Sequence, residues 1–156
     1  DVRNLSKMFY KCFTSYFAGI VKTVSLRQSE AEDNIFFENL EVLDNYLCSG
    51  RNVIASLGHC GNWELLNLMS RKLDHDLYAV YKPLKSKTVN RLMLRIRGRF
   101  GMNLIADKSV ARHIQTKGVK SSVYLFIADQ CPVTLDEKFR FSFLNQETYF
   151  FSGMEK

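Results

Sequence analysis

The sequence predicts an α/β fold, a largely parallel or mixed sheet flanked by helices, from three observations. Short apolar runs of strand length (Val53 to Leu57, Leu77 to Tyr81, Asn103 to Ile105 and Val123 to Ala128) alternate with segments of helical periodicity. Such alternation builds crossover units on a parallel sheet. The first run is continuously apolar, as a strand buried on both faces is expected to be. Finally, 156 residues of which 46% are hydrophobic and only two are proline can bury roughly 70% of their extended-chain surface, so one core forms without a disulfide or metal staple. Disordered, collagen-like and low-complexity chains are excluded by the same composition.

In chain order, Leu5, Met8, Phe9, Cys12, Phe13, Tyr16, Phe17, Ile20 and Val24 recur at helical spacing, with Lys7, Lys11 and Lys22 elsewhere around the wheel. The spacing predicts an aromatic-rich amphipathic helix. Such a helix suits a membrane surface or an acyl-chain groove, and more ordinarily packs on its own core. A second helix is expected from Ser29 and Glu30 through Leu47, stopping at Gly50. After the Val53–Leu57 strand comes a tight turn, then Leu65, Leu66, Leu68, Met69 and Leu73 at helical spacing. Further helices are expected over Thr88 to Arg99 and from near Ser109. No internal repeat and no Pro/Gly/Ser-rich linker divides the chain, which predicts a single domain over 1–156, with N-terminal helices in 1–50 and an α/β core in 51–156.

The four cysteines (Cys12, Cys48, Cys60, Cys131) show no C-x-x-C pair or other paired spacing, which points to a reducing, cytosol-facing compartment rather than a disulfide framework. The net charge of +6 is uneven. Between Lys82 and Lys120 stand eleven Lys or Arg against the single acid Asp107, a local balance of +10 that leaves −4 for the rest. A block of this kind is either a solvated face or a surface for an anionic partner: phosphorylated lipid, membrane, nucleic acid or an acidic protein. The sequence contains no signal peptide pattern and no apolar stretch long enough to cross a bilayer; Cys12 to Val21, between Lys11 and Lys22, is about half the required length. The absence of an initial Met and the ending at Gly153-Met154-Glu155-Lys156 read as a fragment.

The candidate chemistry centres on Gly58-His59-Cys60-Gly61-Asn62-Trp63-Glu64. His59 falls at the carboxyl end of a predicted parallel strand, where open α/β sheets place their ligand sites. Glu64, five residues on, is expected to fold back onto the imidazole, fixing its tautomer and making the other nitrogen a general base. Equally, His59 could be an unpaired turn residue and Glu64 a complement to a helix dipole. Cys60 points away from His59 on extended backbone and is expected to be a packing residue rather than a nucleophile. Neither GxSxG nor a phosphate-binding glycine loop occurs.

This block resembles the H-x4-D/E motif of the lysophospholipid acyltransferase superfamily, and its Gly-His-x-Gly-Asn-Trp-Glu form resembles the lipid A biosynthesis (late, secondary) acyltransferase branch. Further blocks are similar in order: Val80-Tyr81-Lys82-Pro83-Leu84, Arg91-Leu92-Met93 with Arg97-Gly98-Arg99-Phe100-Gly101, Phe126 to Pro132, and Phe143-Leu144-Asn145 through Gly153. The resemblance implies a glycerol-phosphate-acyltransferase-like fold and transfer of an acyl group from acyl carrier protein to a hydroxyl of a lipid A precursor, at the cytoplasmic face of the inner membrane. It implies His59 as base, Glu64 as its orienting carboxylate, no covalent acyl-enzyme, and neither metal nor nucleotide cofactor. An oxyanion must be stabilised in such a reaction. On the helical wheel Arg91 and Arg95 fall on the solvent side, whereas Arg97 and Arg99 flank the face formed by Val89, Leu92, Met93, Ile96 and Phe100. Arg97, then Arg99, are the expected oxyanion or phosphate ligands, with Asn62, Asp129 and Gln130 lining the same edge.

Two other readings compete. A glycerolipid (lysophospholipid or glycerol-phosphate) acyltransferase shares the H-x4-D/E motif but usually lacks the Asn-Trp-Glu ending and the Asp-Gln block. A non-catalytic basic module would use Lys82 to Lys120 to hold anionic lipid or nucleic acid, yet no recognised nucleic-acid motif is present.

Overall fold

A computed structural model describes all residues except 34, 117–119, 133–135, 152–153 and 155–156. The chain opens with helix α1 (Val2–Ser25), capped by the Asp1 carboxylate accepting from the Arg3 amide, followed by α2 (Gln28–Asp33) and α3 (Leu40–Cys48). Strand β1 (Val53–Leu57) leads through the Gly58–Asn62 turn into a 3-10 helix (Trp63–Arg71), then β2 (Asp76–Tyr81), α4 (Lys87–Arg97), β3 (Asn103–Ala106), a short 3-10 turn and α5 (Val110–Thr116), and β4 (Ser122–Ile127). A separate antiparallel hairpin, β5 (Arg140–Phe143) and β6 (Gln146–Tyr149), follows, turning on the left-handed Leu144 and Asn145.

The four-stranded sheet is parallel throughout, in the order β1-β4-β2-β3. The fold class is therefore the α/β architecture that the sequence predicts. One face carries Val53, Ala55, Val123, Leu125, Leu77 and Ala79, and packs against Leu40, Leu43 and Leu47 of α3 and Leu66 and Met69 of the 3-10 helix. On the other face Tyr78, Val80, Ile105, Tyr124 and Phe126 pack against Val110 and Ile114 of α5.

Three sequence expectations are corrected. The single helix from Ser29 to Leu47 is two helices, because the connecting chain turns, with Asn39 left-handed (φ 58°), and sets Ile35 and Phe37 beside Ala31, Leu68 and Phe100. Strand β1 is not buried on both faces: it is an edge strand whose Ile54 is 46% exposed, and the strand enclosed on both faces is β4. The amphipathic α1 does not lay its apolar face on the core. Thr23 is its one buried residue, and along an exposed stripe Phe9 stacks on Phe13, which meets Phe17 edge-on.

The 3-10 geometry has a consequence for the site. Side chains three apart eclipse in such a helix, so Glu64, Asn67 and Ser70 form one ridge. That ridge meets the end of α4 and the turn after it: Asn67 Nδ2 donates to the Ile96 carbonyl (3.3 Å), Ser70 Oγ lies 2.9 Å from the Phe100 carbonyl and 2.7 Å from that of Asn67, and Glu64 takes the Arg97 guanidinium.

Candidate active site

Strand order decides which side chains meet. Because β4 inserts between β1 and β2, the turn after β1 lies beside the turn after β4, and the Ala128 amide donates to the Leu57 carbonyl (3.0 Å) as the ladder ends. His59 and Asp129 thereby face each other across a separation of 70 residues. The Asp129 carboxylate grips His59 twice: Oδ2 accepts from the His59 amide at 2.8 Å, and Oδ1 lies 2.6 Å from Nδ1 of the ring. These two hydrogen bonds, the backbone one first, hold the Asp129 carboxyl below its ordinary pKa. An ionised carboxylate can only accept, so in the neutral imidazole Nδ1 carries the hydrogen and Nε2 the lone pair. Gly58 eases the close approach, since a Cβ there would meet Asp129 Oδ2 at 3.3 Å and push the carboxylate by a few tenths of an ångström; Gly61, at φ 59°, reverses the chain into the 3-10 helix.

The expected pairing of His59 with Glu64 is not formed. Glu64 is 1% exposed and takes Arg97 in a forked contact: Nη2 donates to Oε1 at 2.9 Å, and Nε lies 3.0 Å from Oε2 and 3.2 Å from Oε1. The physical reason lies in the turn. The 3-10 helix begins at Trp63 and aims Glu64 at α4, while the Trp63 ring occupies the space between the two pairs, edge-on to His59 (5.5 Å) and under the Arg97 guanidinium (4.8 Å). Tyr16 of α1 stacks on the same indole at 6.4 Å, and burial, followed by the negative charge of Glu64, raises its phenol pKa.

His59, Trp63, Arg97, Lys82 and Gln130 share the wall of a cavity of about 240 Å³ at the carboxyl ends of β1, β4 and β2. The rest of its lining is mainly apolar, including Leu57, Leu66, Ala79, Met102, Leu125 and Ile127. An apolar slot with one imidazole and one guanidinium on its wall can hold a hydrocarbon chain while presenting a base and a cation to its polar end. The pattern described as bacterial lipid A biosynthesis acyltransferase matches residues 3–153, nearly the whole chain. The chain belongs to that family. No individual curated protein matches it.

In this lipid A acyltransferase the other expected site residues divide. Gln130 lines the cavity, as does Arg97, which the wheel placed on the flank of α4. Arg91 and Arg95 are solvent-exposed, as expected. Arg99 is drawn away from the site: α4 ends at Arg97, Gly98 caps it, and Arg99 Nη1 instead donates to the carbonyls of Thr23 and Val24, closing the last turn of α1. The predicted apolar face of α4 is also incomplete, with Val89 and Leu92 about half exposed. Asn62 sits on the turn with its Nδ2 side against Gly19 of α1, where a Cβ would come within 2.9 Å, and its Oδ1 is buried without a hydrogen-bond partner among the described residues. Cys60 is an exposed free thiol, not a packing residue. Of the resembling blocks and the basic run, residues 152–153 and 117–119 lie outside the described residues.

The sequence reading missed the contributions of Trp63 and Tyr16 to the site. Trp63 stood inside the motif; for Tyr16 the only signal was its place on an aromatic-rich helix whose destination the spacing does not give.

Proposed function

We propose that this acyltransferase moves a fatty acyl group from the thioester of acyl carrier protein to a hydroxyl of a lipid A precursor, with His59 as general base. The observation that carries the reading is the His59–Asp129 contact beside an apolar cavity. Nε2 takes the proton of the acceptor hydroxyl as its oxygen attacks the thioester carbonyl, and the imidazolium returns that proton to the departing thiolate. Asp129, rather than Glu64, is the positioning carboxylate: it holds the ring and stabilises the transient positive charge, as the aspartate does for the histidine base of serine proteases. Arg97 spends Nε and Nη2 on Glu64, which leaves Nη1 to face the oxyanion or a substrate phosphate. Glu64 acts through Arg97.

The residues belong to one acyltransferase domain, with helices in 1–50 and the catalytic core in 51–156. Its exposed α1 carries Arg3, Lys7, Lys11 and Lys22 and no acid within the helix, together with the Phe9-Phe13-Phe17 stripe. That combination suits a helix lying in the headgroup region of an anionic membrane, here the cytoplasmic face of the inner membrane. No described helix is long and apolar enough to cross a membrane.

The function is tested by transfer of radiolabelled acyl chains from acyl carrier protein to tetra- or penta-acylated precursor. Turnover with a lysophospholipid or glycerol phosphate instead of the glycolipid would replace this reading with the glycerolipid one; salt-sensitive binding without turnover would replace it with a basic module.

Two predictions separate docking from chemistry. Arg91→Gln with Arg95→Gln, both on the exposed side of α4, should raise KM in a salt-sensitive way with kcat nearly preserved, since exposed cations contribute about 1 kcal/mol each near an anionic surface. Arg97→Ala should depress kcat itself; the reverse outcome would exchange their roles. Cys60→Ala should leave turnover within a few-fold, and an acyl adduct trapped on Cys60 would overturn the direct-transfer mechanism.

A further inference from the structure

At the amino ends of the strands, on the opposite edge of the sheet from His59, three side chains converge. Asp44 and Cys48 stand one turn apart on α3, and His75 immediately precedes β2. His75 Nε2 lies 3.8 Å from Asp44 Oδ1 and 3.9 Å from Cys48 Sγ. One ligand atom from each residue falls within 4.8 Å of the other two.

The hydrogen bonds behind the ring fix its orientation. Ser121 Oγ gives its only hydrogen to the Leu47 carbonyl (2.6 Å) and lies 3.1 Å from His75 Nδ1; the Ser121 carbonyl lies 3.4 Å from the same nitrogen. Both oxygens are acceptors toward the ring, so in the neutral imidazole Nδ1 carries the hydrogen and Nε2 presents its lone pair to a carboxylate and a thiol. A ring held through Nδ1 by a second layer of acceptors, with Nε2 aimed at other ligand atoms, is the arrangement found behind metal-bound histidines.

Bond lengths of about 2.0 Å to N and O and about 2.3 Å to S place tetrahedral ligand atoms roughly 3.3 to 3.6 Å apart. The observed 3.8 and 3.9 Å are within a few tenths of an ångström of that. The Asp44 and Cys48 ligand atoms lie within 4.8 Å of each other; Cys48 is exposed and Asp44 half exposed, so rotamer changes of these two side chains draw the three atoms onto one ion and leave the fourth position to water.

We propose that Asp44, Cys48 and His75 form a binding site for a zinc-type divalent cation, which ties α3 to the start of β2. Thiolate, imidazole and carboxylate together select this class of ion over magnesium or calcium. Binding replaces the Cys48 S–H bond with a metal–sulfur bond and releases the proton to solvent. The sequence hides such a site, because Cys48 and His75 are 27 residues apart and show no recognised zinc spacing.

The test is titration of the intact chain with Zn²⁺ alone, followed by Co²⁺ as a spectroscopic substitute. One equivalent of Zn²⁺ should bind with release of one proton. The Co²⁺ form should show tetrahedral d–d bands and a thiolate-to-cobalt charge-transfer band. That band should vanish in Cys48→Ser and persist in Cys60→Ser, and His75→Gln should weaken affinity at least tenfold. In wild-type protein, saturating Zn²⁺ should protect Cys48 from alkylation while Cys60 still reacts, a readout independent of whether the variants fold. A band that follows Cys60, or unchanged alkylation of Cys48 under saturating Zn²⁺, overturns the site.

Discussion

Replacing His59 with alanine is expected to reduce acyl transfer at least about a hundredfold, the lower range for losing a positioned acid or base. The folded state should barely notice. The His59 side chain is 36% exposed and Asp129, the carboxylate that its ring meets, is 42% exposed, and polar or ionic pairs at such exposed sites contribute at most about 1 kcal/mol. Activity and stability should therefore separate: near-normal melting with collapsed turnover at saturating substrate. A His59→Ala protein that turns over at the wild-type rate would remove the general base from the mechanism.

The opposite signature is expected at Glu64. Its carboxylate is fully buried and accepts three guanidinium contacts from Arg97. Removing one partner of a buried ion pair leaves the other charge without compensation, at a cost of about 3–5 kcal/mol. Glu64→Ala should therefore unfold at markedly lower temperature or denaturant concentration. Turnover should fall as well, because Arg97 loses the contacts that aim it at the cavity and Trp63 loses the cation over its face. Restoring charge balance discriminates further: Glu64→Gln combined with Arg97→Met should recover much of the stability and none of the turnover. If Glu64→Ala melts like the wild type, the pair does not hold the 3-10 helix to α4.

The contrast between these two residues also shows where sequence reasoning reaches and where it stops. The strand-turn-helix order placed His59 at the carboxyl edge of the sheet, and the helical wheel brought Arg97 to the cavity while leaving Arg91 and Arg95 in solvent, because both inferences rest on local geometry. The carboxylate beside His59 does not. Glu64 was the nearest acid in sequence, but a five-residue separation does not reveal a 3-10 helix that turns its side chain toward α4. Asp129 is set beside His59 only by the insertion of β4 between β1 and β2, an order that periodicity does not encode. Arg99 was misplaced for a smaller reason of the same kind: the wheel continued past Gly98, where the helix ends. The edge position of β1 likewise depends on which strands pair, so an apolar run that reads as doubly buried exposes Ile54 where α5 does not cover it.

Turnover of Asp129→Asn at saturating substrates tests the central claim most directly. Asparagine keeps the shape of the side chain, yet its amide can donate to Nδ1 and so favour the tautomer with hydrogen on Nε2, which is useless as a base; in serine proteases the equivalent change costs about 10⁴-fold. Positioning by Asp129 predicts a loss of at least about a hundredfold in kcat, with the pH profile of the residual activity altered and melting close to the wild type. A folded Asp129→Asn protein with wild-type kcat and pH profile would contradict it and return the orienting role to another group.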